Sequence, residues 1–142
     1  MVGSLVLSLM VTGSARTLPR QKPQIASHPS GDSAALIAHG EYLANQVAMC
    51  VQCHSPRDDH GNILEAQKFH GAAMPVSGPH WNPEWALRAP NIAGLPGFTD
   101  DQVVALLTEG QMPGRQPPMR PMPPFRMARP DAEAVVAYLR SR

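Results

Sequence analysis

Aromatic residues and strand-forming patterns are scarce in this sequence. Only seven aromatic side chains occur among the 142 residues, and all of them lie between Tyr42 and Tyr138. Sixteen prolines and eleven glycines favour extensive loops, which leaves few side chains for a hydrocarbon core. The length favours a single domain, and a small domain with so much loop usually needs a disulfide, a metal or a large apolar cofactor.

An excess of charge of either sign is also missing. The formal net charge is +1, which argues against nucleic acid as a partner, because nucleic-acid-binding domains carry a marked basic excess. The sequence contains no G-x-S-x-G motif, no paired-carboxylate motif and no P-loop. We therefore predict that the chain is not an enzyme that works through a nucleophile and a base.

No hydrophobic run is long enough to cross a bilayer with ease, so no transmembrane anchor is predicted. The apolar stretch from Val2 to Val11 has the length of a secretory h-region, and small residues follow it at 13–15. We predict a signal peptide over residues 1–15, although no Lys or Arg precedes the apolar run; the alternative is an uncleaved apolar tail. Residues 16–32 read as a flexible linker, and residues 33–142 as the folded domain.

Three segments have helical patterns. The first covers residues 33–50, with apolar residues at helical spacing. The second begins at Thr99, which forms a capping box with Gln102, and ends at Gly110. The third begins at Pro130. The sequence therefore predicts an all-α domain.

Two long stretches separate these helices. Residues 55–98 have little periodicity and many Gly and Pro residues, and residues 111–125 hold too many prolines for a helix or a central strand. Unsupported loops of this length are uncommon in compact domains unless they wrap something.

The motif CVQCH contains both cysteines of the chain, Cys50 and Cys53, followed directly by His54. A thioredoxin-like redox pair requires a βαβ context, which is not indicated here. A structural zinc site generally requires four ligands, and only two thiols exist. The third interpretation is the C-x-x-C-H signature of covalent c-type haem attachment. Five residues alone can arise by chance, so the surrounding sequence has to decide.

The surrounding sequence agrees with the haem interpretation. Two thiols three residues apart on a helical turn can each add to one porphyrin vinyl group, and His54 then reaches the iron. Iron in electron-transfer cytochromes takes His on one side and Met on the other. A methionine-rich segment stiffened by proline lies immediately before the last predicted helix.

Three blocks of the chain carry a family resemblance: HGEYLANQVAMCVQCH (39–54), APNIAGLPGFTDDQVVALLTEG (89–110) and PMPPFRMARPDAEAVVAYLRS (121–141). Their order and spacing resemble the single-haem class I c-type cytochromes, including the cytochrome domains of bacterial dehydrogenases. The resemblance implies an all-α, cytochrome c-like fold of three to four helices, wrapped around one covalently bound haem c and joined by long loops.

The resemblance also implies a close helix crossing. In the family, a glycine and an aromatic residue on the first helix let it pass closely over the last helix. Gly40 and Tyr42 match these two positions, with Tyr138 and Leu139 opposite. Because glycine lacks a Cβ atom, two backbones can approach each other there.

The resemblance implies the iron ligands as well. A ligating histidine usually donates its other ring N–H to a fixed acceptor, and the family pattern makes the carbonyl of Pro90 the acceptor for His54. The sixth ligand comes from a proline-bearing turn before the last helix, which Met122 in PMPPF matches. Three other methionines remain as alternatives: Met119, Met112 and Met127.

Further side chains are candidates for the haem surroundings. Arg88, Trp85 and Trp81 can donate N–H groups to the propionates, although the tryptophans can equally pin the long loop onto the domain. Four arginines form a run without acidic neighbours, which suits either the steering of an acidic redox partner or a solvated surface: Arg115, Arg120, Arg126 and Arg129. The predicted haem-binding set is Cys50, Cys53, His54, Met122, Pro90, Arg88 and Trp85, with His54 and Met122 on the iron.

The predicted function is the transfer of single electrons between periplasmic redox proteins, such as a dehydrogenase, an oxidase or another cytochrome. Haem attachment of this kind takes place outside the cytoplasmic membrane in bacteria, as the resemblance implies, which agrees with the predicted signal peptide. Two alternatives stay open: a haem-based sensor or enzyme with an open sixth iron position, and an electron-transfer subunit of a dehydrogenase or oxidase complex.

Overall fold

A computed structural model describes residues 33–142 of the chain. The predicted signal peptide (1–15) and linker (16–32) lie outside the described residues. The regular secondary structure of the described residues is almost entirely helical, as predicted, with a single pair of two-residue strands. Its elements in chain order are α1 (Ser33–Tyr42), a π-helical turn (Leu43–Val47), α2 (Cys50–His54), a 3-10 turn (Glu65–Gln67), β1 (Ala72–Ala73), β2 (Arg88–Ala89), α3 (Asp100–Glu109) and α4 (Arg129–Arg140).

The first predicted helix is divided in the structure. We predicted one helix over residues 33–50 with CVQCH at its end, but α1 ends at Tyr42 and continues only as the π-helical turn. Met49 then adopts a left-handed backbone conformation (φ 54°), which cannot continue a right-handed helix. The motif therefore forms the separate helix α2, whose direction is not tied to that of α1.

Helix α1 crosses α4 at Gly40, in agreement with the prediction. A Cβ atom at Gly40 would lie 1.9 Å from the carbonyl oxygen of Ala134 and 2.9 Å from the Cβ atom of Tyr138, so no other residue fits without moving a backbone. Tyr42, the aromatic residue expected beside Gly40, is 51% exposed and does not belong to the buried core. The π-helical turn brings the next residue, Leu43, into the core instead.

Helix α3 begins at the predicted capping box. The Thr99 hydroxyl accepts a hydrogen bond from the backbone N–H of Gln102 (3.2 Å), and the Gln102 side-chain oxygen accepts one from the backbone N–H of Thr99 (3.1 Å). The helix ends before Gly110, also as predicted. Three of its four buried side chains pack into the same hydrophobic core as those of α4: Val103, Val104 and Leu107.

The long segment between α2 and α3 is mostly irregular, as predicted, and Phe69 anchors it to the helices. The Phe69 ring is fully buried and packs edge-to-face on Tyr138, with 5.7 Å between the ring centroids. The Phe69 carbonyl accepts hydrogen bonds from the backbone N–H groups of Ile92 and Ala93. The antiparallel pair β1–β2, which the sequence did not indicate, joins two further points of the same segment.

No helix within residues 33–142 combines the length and the apolar character that are needed to cross a membrane.

Candidate functional site

The position of α2 depends on a close approach between two loop backbones. The backbone N–H of Gly71 donates to the carbonyl of His54, the last residue of α2, at 2.8 Å. Gly71 has φ 84°, and a Cβ atom there would lie 2.8 Å from the backbone nitrogen of Asn91 and 2.9 Å from the carbonyl carbon of Pro90. Only glycine allows this approach without strain, and the approach brings Pro90 beside the end of α2.

The His54 ring is held in one orientation. It is 7% exposed, and its Nδ1 atom lies 2.8 Å from the carbonyl oxygen of Pro90. Because a carbonyl can only accept, Nδ1–H is the donor and Nε2 carries the lone pair. Burial lowers the pKa of His54 and outweighs the opposing effect of the Pro90 bond. The imidazole is therefore neutral at neutral pH, which is the form that binds metals, and the predicted hydrogen bond to Pro90 is present.

The two cysteines lie on the same helix and are not joined by a disulfide. Burial raises the pKa of Cys50 to about 11. Its sulfur is consequently a thiol and not a thiolate at neutral pH. Catalytic redox cysteines have lowered pKa values, so this environment does not suit a thioredoxin-like pair.

Cys50, Cys53 and His54 line one large cavity of about 600 Å³, a volume within the usual range for cofactor sites. Apolar side chains supply most of its lining. Residues 92–98, called the wall segment below, contribute Ile92, Leu95 and Phe98. Helices α3 and α4 contribute five more: Val103, Leu106, Leu107, Val135 and Leu139.

The proline-rich stretch of residues 111–127, called the methionine loop below, borders the same cavity. Met122, Met119 and Met112 all line it. Met119 is 52% exposed, whereas Met122 and Met112 are half-buried. Met127, the remaining alternative, does not line the cavity, and its backbone N–H is bonded to the carbonyl of Leu107 (2.9 Å).

Sequence reasoning missed two cavity methionines, Met49 and Met74. Met49 directly precedes Cys50, and its left-handed backbone places it at the break between the π-helical turn and α2. Met74 follows β1, whose pairing with β2 brings it to the cavity. The left-handed turn has no clear sequence signal at a methionine, and two-residue strands are too short to give one.

Of the three side chains considered for contacts with the propionates, the structure brings only Arg88 to the cavity. Trp85 lines a separate, smaller cavity of about 390 Å³, and its indole N–H donates to the carbonyl of Val76 (3.3 Å). Trp81 is largely exposed. Trp85 thus fastens the 76–85 loop on itself, and six of the seven predicted site residues share one cavity.

The four arginines of the predicted run are all exposed but make different contacts. Arg129 pairs with Glu133 on α4 at 3.0 Å. Arg126 donates to the carbonyl of its neighbour Phe125 at 2.7 Å. Arg115 is the member that lines the cavity. The run is therefore not a uniform charged surface.

The residues of the cavity fit a c-type haem. Two thiols and a neutral imidazole with an available Nε2 lone pair lie on one short helix, methionine thioethers lie on a facing loop of the same lining, and Arg88 is a donor for acidic groups. Aliphatic and aromatic side chains complete a surface suited to a flat apolar ring. Within residues 33–142, no three His, Cys, Asp or Glu side chains form a cluster that could hold a metal ion by themselves.

Comparison of the chain with protein-family models and with curated proteins gives no match.

Proposed function

We propose that the chain is a single-haem class I c-type cytochrome with a cytochrome c-like fold, and that it carries single electrons between redox proteins. One observation carries the proposal: the two thiols of CVQCH, the buried imidazole of His54 and the thioethers of the methionine loop line one apolar cavity of about 600 Å³. This is the donor set that His/Met-ligated, covalently attached haem requires.

Cys50 and Cys53 would hold the group through thioether bonds. Each S–H would add across one vinyl double bond, with the sulfur bonding to one carbon and the hydrogen to the other, so that no oxidant would be consumed. Because burial keeps Cys50 as a neutral thiol, this site does not favour uncatalysed attack. Dedicated attachment machinery outside the cytoplasmic membrane would perform the step, which agrees with the predicted periplasmic location.

His54 would bind the iron through Nε2. The bond from Nδ1–H to Pro90 fixes the tautomer and the ring orientation, and it makes the imidazole a stronger donor. When bound, the haem supplies one-electron chemistry at iron. With His54 and a methionine both bound to the iron, the protein would leave no open coordination site for substrate, which favours a carrier over an enzyme.

Met122 is our choice for the second residue that would hold the iron. Its half-buried side chain is better shielded than that of Met119, and Pro121, Pro123 and Pro124 restrict its backbone. A restricted backbone lowers the entropy that is lost when the thioether is held at iron. Met119 and Met112 line the same cavity and are the alternatives for a direct test.

The proposal is tested by producing the chain together with a c-type haem attachment system. After denaturing electrophoresis, we expect haem staining at the mass of the chain, and none for the C50A/C53A double variant. A chain that retains haem before denaturation but loses it on the gel would contradict covalent attachment.

The axial ligand has its own test. The ferric wild-type protein should show the near-infrared thioether-to-ferric charge-transfer band, which Met122→Ala should abolish. Met119→Ala is the matched control, since it removes a cavity methionine from the same loop, and it should retain the band. Rapid carbon monoxide binding by the ferrous wild-type protein would instead favour a sensor with an open sixth position.

A further inference from the structure

Arg115 joins the methionine loop to the wall segment. Its guanidinium lies over the Phe98 ring, 4.6 Å from the centroid, and its Nη2 donates to the carbonyl of Gly97. The backbone N–H of Arg115 donates to the carbonyl of Met112 (3.1 Å), which closes a turn at the beginning of the loop. One side chain thus connects two segments that line the same cavity.

The two ends of the methionine loop are fastened differently. Towards its C-terminal end, the bonds to other segments are made by the main chain: Ala86 N–H donates to the Arg120 carbonyl (2.7 Å), and Met127 N–H donates to the Leu107 carbonyl. Towards its N-terminal end, the bonds come from the side chains of Arg115 and Gln102, the latter donating to the carbonyl of Pro113 at 3.3 Å.

We propose that Arg115 is a positioning residue that holds the methionine loop against the wall segment and so limits access of small ligands to the iron. This inference rests on the proposed function. Opening the N-terminal part of the loop requires the loss of both the contact with the Phe98 ring and the charge-assisted hydrogen bond to Gly97. Local openings of this kind become more frequent as the contacts that oppose them are removed.

Imidazole binding to the ferric haem protein tests the inference, because imidazole reaches the iron only when the methionine has left it. We expect Arg115→Ala to raise the affinity for imidazole on the order of tenfold, from the loss of one exposed cation–π contact and one hydrogen bond. Arg129→Ala removes the same charge from an exposed site on α4, where its partner is Glu133, and should stay within about twofold of wild type.

Arg115→Lys separates charge from geometry. Lysine keeps the positive charge but lacks the planar group that lies over the Phe98 ring, so we expect an imidazole affinity between those of wild type and Arg115→Ala. Hydrogen exchange supplies a readout independent of ligand binding. Peptides covering residues 111–118 should exchange faster in Arg115→Ala, while peptides from α1 should not change.

The outcomes separate this inference from the proposed function. If wild type takes up no covalent haem, both are overturned. If wild type has haem and the thioether band, but Arg115→Ala binds imidazole like wild type or like Arg129→Ala, only the role of Arg115 is overturned. The role of Arg115 would also be overturned if the wild-type protein had haem without the thioether band. Faster hydrogen exchange throughout the chain in Arg115→Ala would overturn it too.

Discussion

The α1–α4 crossing and the methionine loop differ in how tightly their residues are packed. At the crossing, Gly40 and Ala134 are so small that two helix backbones touch, and the surrounding positions Ala132 and Val135 are fully buried. The methionine loop buries little of itself, and several of its apolar side chains face a cavity of about 600 Å³. One region is completed by its own atoms, whereas the other borders a volume that the chain does not fill.

This contrast explains how a chain with seven aromatic residues can have an ordered interior. Close packing of small residues requires few large side chains, and it supplies the rigid part of the domain. The apolar faces of α3 and the wall segment serve both regions, since Val103, Leu107 and Leu95 belong to the core cluster and also line the cavity. A large apolar cofactor in the cavity would extend the same core.

The largest effect is expected from Gly40→Val, which places side-chain atoms inside the space occupied by the Ala134 carbonyl. We expect a loss of about 3 kcal/mol or more in the free energy of unfolding, measured by urea denaturation. Ala38→Val on the exposed side of α1 is the control, and its cost should be about 0.7 kcal/mol or less. Equal costs for the two variants would show that the crossing does not determine stability.

A smaller effect is expected at the junction of the two regions, where Arg140 of α4 binds the wall segment. Its guanidinium donates to the carbonyls of Gly94 (2.7 Å) and Phe98 (2.6 Å) and to the Asp100 carboxylate (2.8 Å). Since the side chain is partly exposed, we expect Arg140→Ala to cost about 2 kcal/mol in urea denaturation. Arg129→Ala, which loses one exposed ion pair, should cost about 0.5 kcal/mol.

The two regions also differ in how far the sequence predicts them. The capping box of α3 and the crossing at Gly40 follow from local patterns or a family resemblance, and the structure agrees. The predicted start of α4 at Pro130 is one residue later than its start at Arg129 in the structure. Each depends on the identity of one or two residues within a regular element, so its signal lies in adjacent sequence. The bond from His54 to Pro90 belongs to the same group because both residues lie in resembling blocks.

The missed features depend on contacts between distant, irregular segments. The break at Met49 puts an unfavourable backbone conformation on a residue without any local reason for it. The backbone bridge between Trp85 and Arg120 joins two loops. The Trp85 side chain bonds to Val76 and lies outside the cavity that the other predicted site residues line. Helix or strand propensity and hydrophobic periodicity do not predict such pairings, because the paired segments are irregular loops without a periodic pattern.

The cap of α3 gives a third prediction, since this helix borders both the core and the cavity. Thr99→Ala removes the hydroxyl that accepts from the Gln102 backbone and should cost about 1 kcal/mol in urea denaturation. Thr108→Ala on the same helix removes a hydroxyl that donates to the Val104 carbonyl (2.9 Å) within the helix, and should be nearly neutral. A similar loss for both would mean that the cap contributes nothing specific.

The smallest effect is expected in the turn at Asp58, which lines neither the core nor the cavity. Its carboxylate accepts hydrogen bonds from the Asn62 side chain (3.1 Å) and from the backbone N–H groups of Asn62 (2.8 Å) and His60 (2.9 Å). These hydrogen bonds lower the pKa of Asp58 below its ordinary value of 3.8, and the bond from the Asn62 side chain has the largest effect. A carboxyl whose pKa is lowered by folding stabilises the fold above pH 3.8, and this contribution is lost as the pH falls further.

The carboxyl carbon resonance of Asp58 should therefore titrate below pH 3.8. At pH 7 we expect Asp58→Ala to lower the midpoint of thermal unfolding slightly and Asp59→Ala to leave it unchanged. The difference between Asp58→Ala and wild type should shrink below pH 3.8, because protonation removes the same interaction from the wild-type protein. A titration midpoint at or above pH 3.8 for Asp58 would contradict the prediction that its hydrogen bonds stabilise this turn.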